Sequence, residues 1–175
     1  MIGILNKAIT SIFGKKSDRD LKEITPLITK ILAEYALLEN ISTDELREKS
    51  NVFRTLINDR LTDNRTAISE LEKEAEENPD LELSRKEEIY RDIDQLKKDG
   101  KKLTEEVLME LLPQAFAVMK ETARRFTNNE TITVTAFQHD RDLAAKRDFV
   151  KIEGDKAIYK NSWTAAGTTV TWNMI

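Results

Sequence analysis

The hydrophobic positions of this chain change period once. Up to residue 127 they recur every three or four residues, the mark of amphipathic helices; from residue 128 they alternate, the mark of strands. Ile2, Leu5, Ile9, Ile12 and Phe13 form the first stripe, widened by Ile4 and Ala8, and Gly14 is placed to end it. Ser17 or Asp18 then caps a second helix, whose buried side is expected to hold Leu21, Ile24, Leu27, Ile28, Ile31, Leu32 and Tyr35. Pro26 falls inside that pattern and lacks a backbone donor, so it kinks the helix or restarts it.

Ser42-Thr43-Asp44-Glu45 reads as a capping box, with the serine oxygen accepting from a free amide of the first turn while Glu45 reaches back. The helix it opens carries Leu46, Val52 or Phe53, Leu56, Ile57 and Leu61, then thins to Ile68 and Leu71 with Ala67 and Ala75. Asn78-Pro79 ends it. A second box, Ser84-Arg85-Lys86-Glu87, opens a helix carrying Ile89, Ile93 and Leu96, with Asp99-Gly100 as its expected stop. Narrow apolar seams and charged outer faces predict a helical hairpin packed on itself or on a neighbour. Thr104 begins the last long helix. Its wide apolar face is expected to bury Leu108, Leu111, Leu112, Ala115, Val118, Met119, Thr122, Ala123 and Phe126, and Pro113 either kinks it or restarts it.

Beyond it, Ile132, Val134 and Ala136 alternate with Thr131, Thr133 and Thr135. Residues 149–153 and 156–159 flank Gly154-Asp155 as a β-hairpin, the glycine supplying the positive φ of a II′ turn. Residues 168–172 read as another strand, and residues 138–147 as a helical turn or a loop. The expected fold is α+β and mainly α: antiparallel helices with a long charged hairpin, plus a small antiparallel β element near the C-terminus. Four segments follow: N-terminal helices over 1–62, an acidic helical hairpin over 63–107, a core helix over 108–127 and a β-rich segment over 128–175.

Composition narrows the function classes. The chain has 175 residues, 39% hydrophobic and 34% charged, with five glycines, three prolines and no cysteine. Lack of cysteine excludes a disulfide framework and cysteine-based zinc or redox chemistry. No run of about 18 apolar residues is present to span a bilayer, and residues 1–22 lack the sustained apolar region of a secretory signal. A net charge of −4 argues against general nucleic-acid binding. Charge is unevenly distributed. Lys7, Lys15, Lys16, Arg19 and Lys22 face only Asp18 and Asp20 at the start, whereas residues 70–82 hold seven acids against Lys73.

Candidate chemistry is thin. No glycine begins a phosphate-binding G-x-x-x-x-G-K-[ST] loop, since Gly14-Lys15 and Gly100-Lys101 lack the partner glycine and the hydroxyl. Catalytic, cofactor-binding and metal-binding residues are therefore assigned to none. Glu72 and Glu76 lie one turn apart but read as a solvated helix face. His139-Asp140 invites an acid–base reading, yet no nucleophile is placed to complete it and a surface histidine is preferred. Trp163 and Trp172 could stack on a ligand, but their setting of threonines and small residues favours sheet packing. The best site-like feature is the first helix. Ile2, Leu5, Ile9, Ile12 and Phe13, with Lys7, Lys15 and Lys16, suit contact with an anionic membrane surface. Docking of the same apolar face on the rest of the protein is the competing reading.

Three stretches carry a resemblance: ILNKAITSIFGKKSDRDLKEI, STDELREKSNVFRTLI and LLPQAFAVMKETARR. Their order and combination resemble the N-terminal region of SecA, the family of bacterial preprotein translocase motor ATPases. The likeness covers residues 1–57 and 108–126. It implies helices that precede a RecA-like motor domain, in a parent that uses ATP and magnesium to drive preproteins through the SecYEG channel. It implies a cytoplasmic protein, peripheral at the cytoplasmic face of the inner membrane, whose basic start touches acidic lipid and the channel. Residues 60–107 are longer than the family's usual connection, and residues 128–172 stand where its glutamine motif normally follows. Both look like insertions. The glutamine motif, phosphate loop and acidic motif are expected beyond Ile175, where the chain stops on an apolar residue without a polar tail, as a truncated chain does. The resemblance thus implies part of a motor, inactive alone; a free-standing helical adaptor or a peripheral membrane-binding module are the alternatives.

Overall fold

The computed structural model describes residues 20–173. The amphipathic stretch over residues 2–16 lies outside them. Residues 20–36 form α1, which runs through Pro26 unbroken. It is followed by α2 (Thr43–Glu77), α3 (Leu83–Asn128), β1 (Thr131–Thr135), α4 (Gln138–Ala144), β2 (Val150–Glu153), β3 (Lys156–Lys160), β4 (Ser162–Ala165) and β5 (Thr168–Thr171). The α+β, mainly α expectation holds. The described helices and strands fall into two compact units, one of residues 20–44 with 113–173 and one of Glu45–Leu112.

The Glu45–Leu112 unit is an antiparallel pair of helices joined at residues 78–82. Its seam is Leu46, Leu61, Ile89, Ile93, Val107 and Leu111, all buried. Of the two candidates on α2, Phe53 is half-buried and Val52 is exposed. Arg85 locks the closed end, its Nε and Nη2 donating to the two carboxylate oxygens of Glu74 at 2.9 and 3.0 Å. Lys97 pairs with Glu72 at 3.5 Å and Arg60 with Glu110 at 3.2 Å. Asn64 crosses the seam and donates to the Leu96 carbonyl at 2.9 Å.

Two expected breaks are absent. Gly100 does not stop a helix; α3 passes through it and through Pro113 as one 46-residue element. The glycine serves packing instead, since a Cβ there would stand 2.5 Å from Asn64 Oδ1. A glycine costs about 1 kcal/mol in helix propensity, and here that cost is offset by the close approach of the asparagine. Ser84 is likewise not the cap. The helix starts one residue earlier, and the Glu82 carbonyl accepts from the amides of Arg85 and Lys86 at 3.0 and 3.1 Å.

In the other unit, β3 is central in an antiparallel sheet of order β1-β3-β2. Register places Ile132 opposite Tyr159, and Val134 opposite Ala157, which also faces Ile152. One sheet face therefore gathers Ile132, Val134 and Ala157, with Phe126, Ala136, Ile152 and Tyr159 packed around them. The β2–β3 turn is as expected: Gly154 has φ +60° while Asp155 keeps a negative φ, the II′ pattern. Strand β5 pairs with β4, which the residue pattern did not predict. Ala166 and Gly167, at φ +50° and +79°, supply the two positive values of a I′ turn. Residues 138–144 resolve as the short helix α4.

The burial of two helices departs from expectation. On α1, Leu21, Ile24, Ile28 and Leu32 are exposed, and only Leu27, Ile31 and Tyr35 are half-buried. On the last part of α3, Met119 is 65% exposed and Leu108 and Phe116 are also open. The buried line is Leu111, Pro113, Ala117 and Glu121. The wide apolar face is thus split: one edge is buried and the other is left outward.

Candidate functional site

The buried edge of α3 ends in a charged cluster. Glu121, Arg124 and Arg125 stand at i, i+3 and i+4, so one helical turn brings all three side chains together. Glu121 is 1% exposed. Arg124 donates to it through Nε at 2.8 Å and Nη2 at 2.7 Å, and Arg125 through Nε at 2.7 Å. Arg125 then uses its remaining nitrogens on the α1–α2 connection, with Nη1 donating to Thr43 Oγ1 at 3.1 Å and Nη2 to the Ile41 carbonyl at 2.7 Å. The guanidinium suits this work, because its fixed fork can serve several acceptors at once.

The Arg124 hydrogen bond, aided by Arg125, holds the Glu121 carboxyl below its ordinary value despite burial, which pushes the other way. Arg124 is raised in turn by Glu121. Next to this cluster Asp44 accepts from the Thr135 amide and hydroxyl, both at 2.8 Å, and so ties the start of α2 to the end of β1. These carboxylates are saturated by donors. Their chemistry is positional: they fix where α3, the α1–α2 connection and β1 meet.

Asp140 is fully buried on α4 and accepts from the Phe137 amide at 2.8 Å and from the Tyr159 hydroxyl. Its neighbour His139 is exposed. The expected surface histidine agrees with this, and the aspartate acts as a staple between α4 and β3. Glu72, the possible chelator, is paired with Lys97. Among the described residues no group of three or more histidines, cysteines, aspartates or glutamates is placed to hold a metal ion. No described helix is long and apolar enough to cross a membrane.

The outward edge of α3 opens on a pocket of about 510 Å³. Met119, Ala123 and Phe126 of α3 line it together with Phe149, Tyr159, Trp163 and Trp172. Phe126 and Trp172 lie 6.3 Å apart, centroid to centroid, at 48°. Trp172, just past β5, therefore packs against α3, while Trp163 lies on β4. The candidate membrane-contact residues Ile2, Leu5, Lys7, Ile9, Ile12, Phe13, Lys15 and Lys16 lie outside the described residues. Sequence reasoning missed Glu121 as a buried acid and missed the pocket. The E-x-x-R-R spacing inside an apolar face was the available signal for the first; the second had none, because its walls come from separate elements.

Residues 9–139 match the family described as the SecA DEAD-like domain. The chain is 47% identical to the protein translocase subunit SecA of Parabacteroides distasonis over 97% of its length, and 45% identical to that of Porphyromonas gingivalis over 97%. It is 42% identical to that of Christiangramia forsetii over 99%. In each case it spans 15% of the relative's length. No solved structure matches. The relatives align through the hairpin and through the β segment, so those features are shared with them rather than peculiar to this chain. With three quarters of its residues inside one family match and 97% or more of its length aligned to these relatives, the chain belongs to the SecA family of protein translocase subunits.

Proposed function

We propose that this chain serves as the N-terminal part of a translocase motor that couples ATP hydrolysis to preprotein export through the SecYEG channel. The observation that carries the reading is 47% identity over 97% of the chain to a protein translocase subunit. Within that machine the chain contributes structure and contact rather than chemistry. It carries no phosphate loop, so ATP and magnesium are bound by other parts of the motor. Its charged cluster sets the geometry at which α3 enters the β segment.

The basic start supplies the membrane contact in this reading. Ile2, Leu5, Ile9, Ile12 and Phe13 enter the interface of an anionic membrane at the cytoplasmic face, and Lys7, Lys15 and Lys16 add roughly 1 kcal/mol each by attraction to acidic lipid. Two measurements test the proposal. Grafting residues 1–175 in place of the aligned stretch of the Parabacteroides distasonis subunit should preserve ATP-driven translocation into membrane vesicles; loss of transport by a folded chimera refutes it. The chain should also sediment with phosphatidylglycerol vesicles at low salt, and Lys7→Glu with Lys15→Glu and Lys16→Glu should abolish that. Indifference of the unsubstituted chain to such vesicles would remove the membrane role.

A further inference from the structure

Helix α1 carries two apolar lines. Leu27, Ile31 and Tyr35 form one, and they are half-buried. The other is Leu21, Ile24, Ile28 and Leu32, at i, i+3, i+7 and i+11, and these are 56%, 47%, 43% and 50% exposed. That spacing is the seam of a helix that packs against a second helix. The polar groups beside the seam are turned inward on the helix itself. Thr25 Oγ1 donates to the Leu21 carbonyl at 2.6 Å, and Thr29 Oγ1 to the Thr25 carbonyl at 3.1 Å. What the seam offers a partner is apolar length.

The chain itself holds a segment of matching length and period. Ile2, Leu5, Ile9, Ile12 and Phe13 precede α1 and lie outside the described residues. Ile2 and Phe13 are eleven positions apart, as are Leu21 and Leu32, so on a helix each line runs about 16–17 Å. Between them lie the six residues Gly14 to Arg19, within the roughly 2–8 that join neighbouring helices of a bundle. A chain reversal there sets Phe13 beside Leu21, Ile9 beside Ile24, Leu5 beside Ile28 and Ile2 beside Leu32, one register that serves all four pairs. Charge agrees with it. By the helical period Lys7 falls on the side opposite the apolar line, and Lys15 and Lys16 fall in the connection, so the pairing buries no ammonium group. We propose that residues 2–13 fold back as a helix on the exposed seam of α1 in this register, closing a two-helix hairpin at the start of the chain. The same side chains serve the membrane contact, so docking and insertion exclude one another. Docking needs no lipid and rests on neither the export nor the membrane reading.

Cross-linking tests it in the full 175-residue chain, which has no cysteine of its own. Leu5→Cys with Ile28→Cys makes a facing pair. Lys7→Cys with Ile28→Cys makes a control pair, with the first thiol on the far side. Each variant is treated, without lipid, with a bis-maleimide whose reach matches a helix–helix spacing of about 8–10 Å, and the linked peptides are identified by mass. A segment that is merely tethered presents positions 5 and 7 alike, because the linker sets the effective concentration of both. The expected result is an intramolecular link that forms about tenfold faster or more in the facing pair than in the control pair, at every protein concentration. Ile9→Cys with Ile24→Cys should match the facing pair, and it carries the test if circular dichroism shows that the first pair disturbs folding. Equal rates at positions 5 and 7, or no link in either pair, overturn the proposal. Linkage between two chains that grows with concentration assigns the seam to a second copy and overturns it too. Vesicle sedimentation, by contrast, decides only the membrane reading.

Discussion

The two units of this chain solve the same problem in opposite ways. The Glu45–Leu112 hairpin has a complete apolar seam, and its charges sit outside as ion pairs such as Arg85 with Glu74. The unit that holds the sheet buries a carboxylate and two arginines where α3 meets its neighbours, and leaves large apolar side chains outside. The hairpin also leaves Val52, Leu83, Tyr90, Leu108 and Met109 exposed, but these lie outside its seam. In the other unit Phe116 and Met119 stand open on the same helix that carries the buried Ala117 and Glu121. The difference lies in the long-range contacts, because α2 and both parts of α3 share one helical period.

The largest expected effect comes from breaking the charged cluster. Glu121→Ala leaves two guanidinium groups without their acceptor, one of them largely buried, and should cost about 3–5 kcal/mol, read as a fall in the urea midpoint. A loss below 1 kcal/mol would mean that the cluster does not hold this unit together. The same carboxylate gives a pH signature. Its folded pKa is lowered from the ordinary 4.5, so its contribution is fully present above that value and is lost as the pH falls through it and then through the lowered folded value. Glu121→Gln should remove that part of the acid sensitivity, leaving a flatter stability profile over the same window.

On the hairpin, Ile89→Ala empties a fully buried site and should cost about 2–5 kcal/mol. Met119→Ala, on the outward edge of α3, should change stability by less than about 0.5 kcal/mol. Comparable losses would erase the contrast between a closed seam and an open face. Gly100→Ala is a finer probe. It gains about 1 kcal/mol of helix propensity but drives Asn64 off its bond to Leu96, so a net loss of about 1 kcal/mol is expected. In an Asn64→Ala background the same change should become stabilising. A gain in both backgrounds would show that the close approach is not what the glycine serves. The smallest effect is at the β4–β5 turn, where Ala166→Gly should stabilise by a few tenths of a kcal/mol by relieving a left-handed alanine, roughly 1–2 kcal/mol of strain less the added chain entropy; a thermal midpoint that falls would count against it.

Much of the local structure was legible in the residues. The 3.6-residue period placed Leu46 and Leu61 on the buried side of one helix, and Ile89 and Ile93 on that of the next. Alternation placed β1 with Ile132 and Val134 inward, and Gly154-Asp155 placed the β2–β3 turn. Such features depend on neighbours within a few positions, so a single segment carries the information. The family resemblance lay in three short stretches for the same reason.

The sequence by itself determined most of the secondary elements, the two charge regimes and the absence of a phosphate loop. The tertiary structure alone decided what each side chain does there. Gly100 read as a stop until Asn64, 36 positions away, was found across from it. Arg125 takes its role from Thr43 and Ile41, 82 and 84 positions away, which supply its acceptors. Met119 read as core because it lies on an apolar face, yet a face is buried only where another element covers it. Helical period fixes which residues share a side; the partner that covers that side comes from elsewhere in the fold.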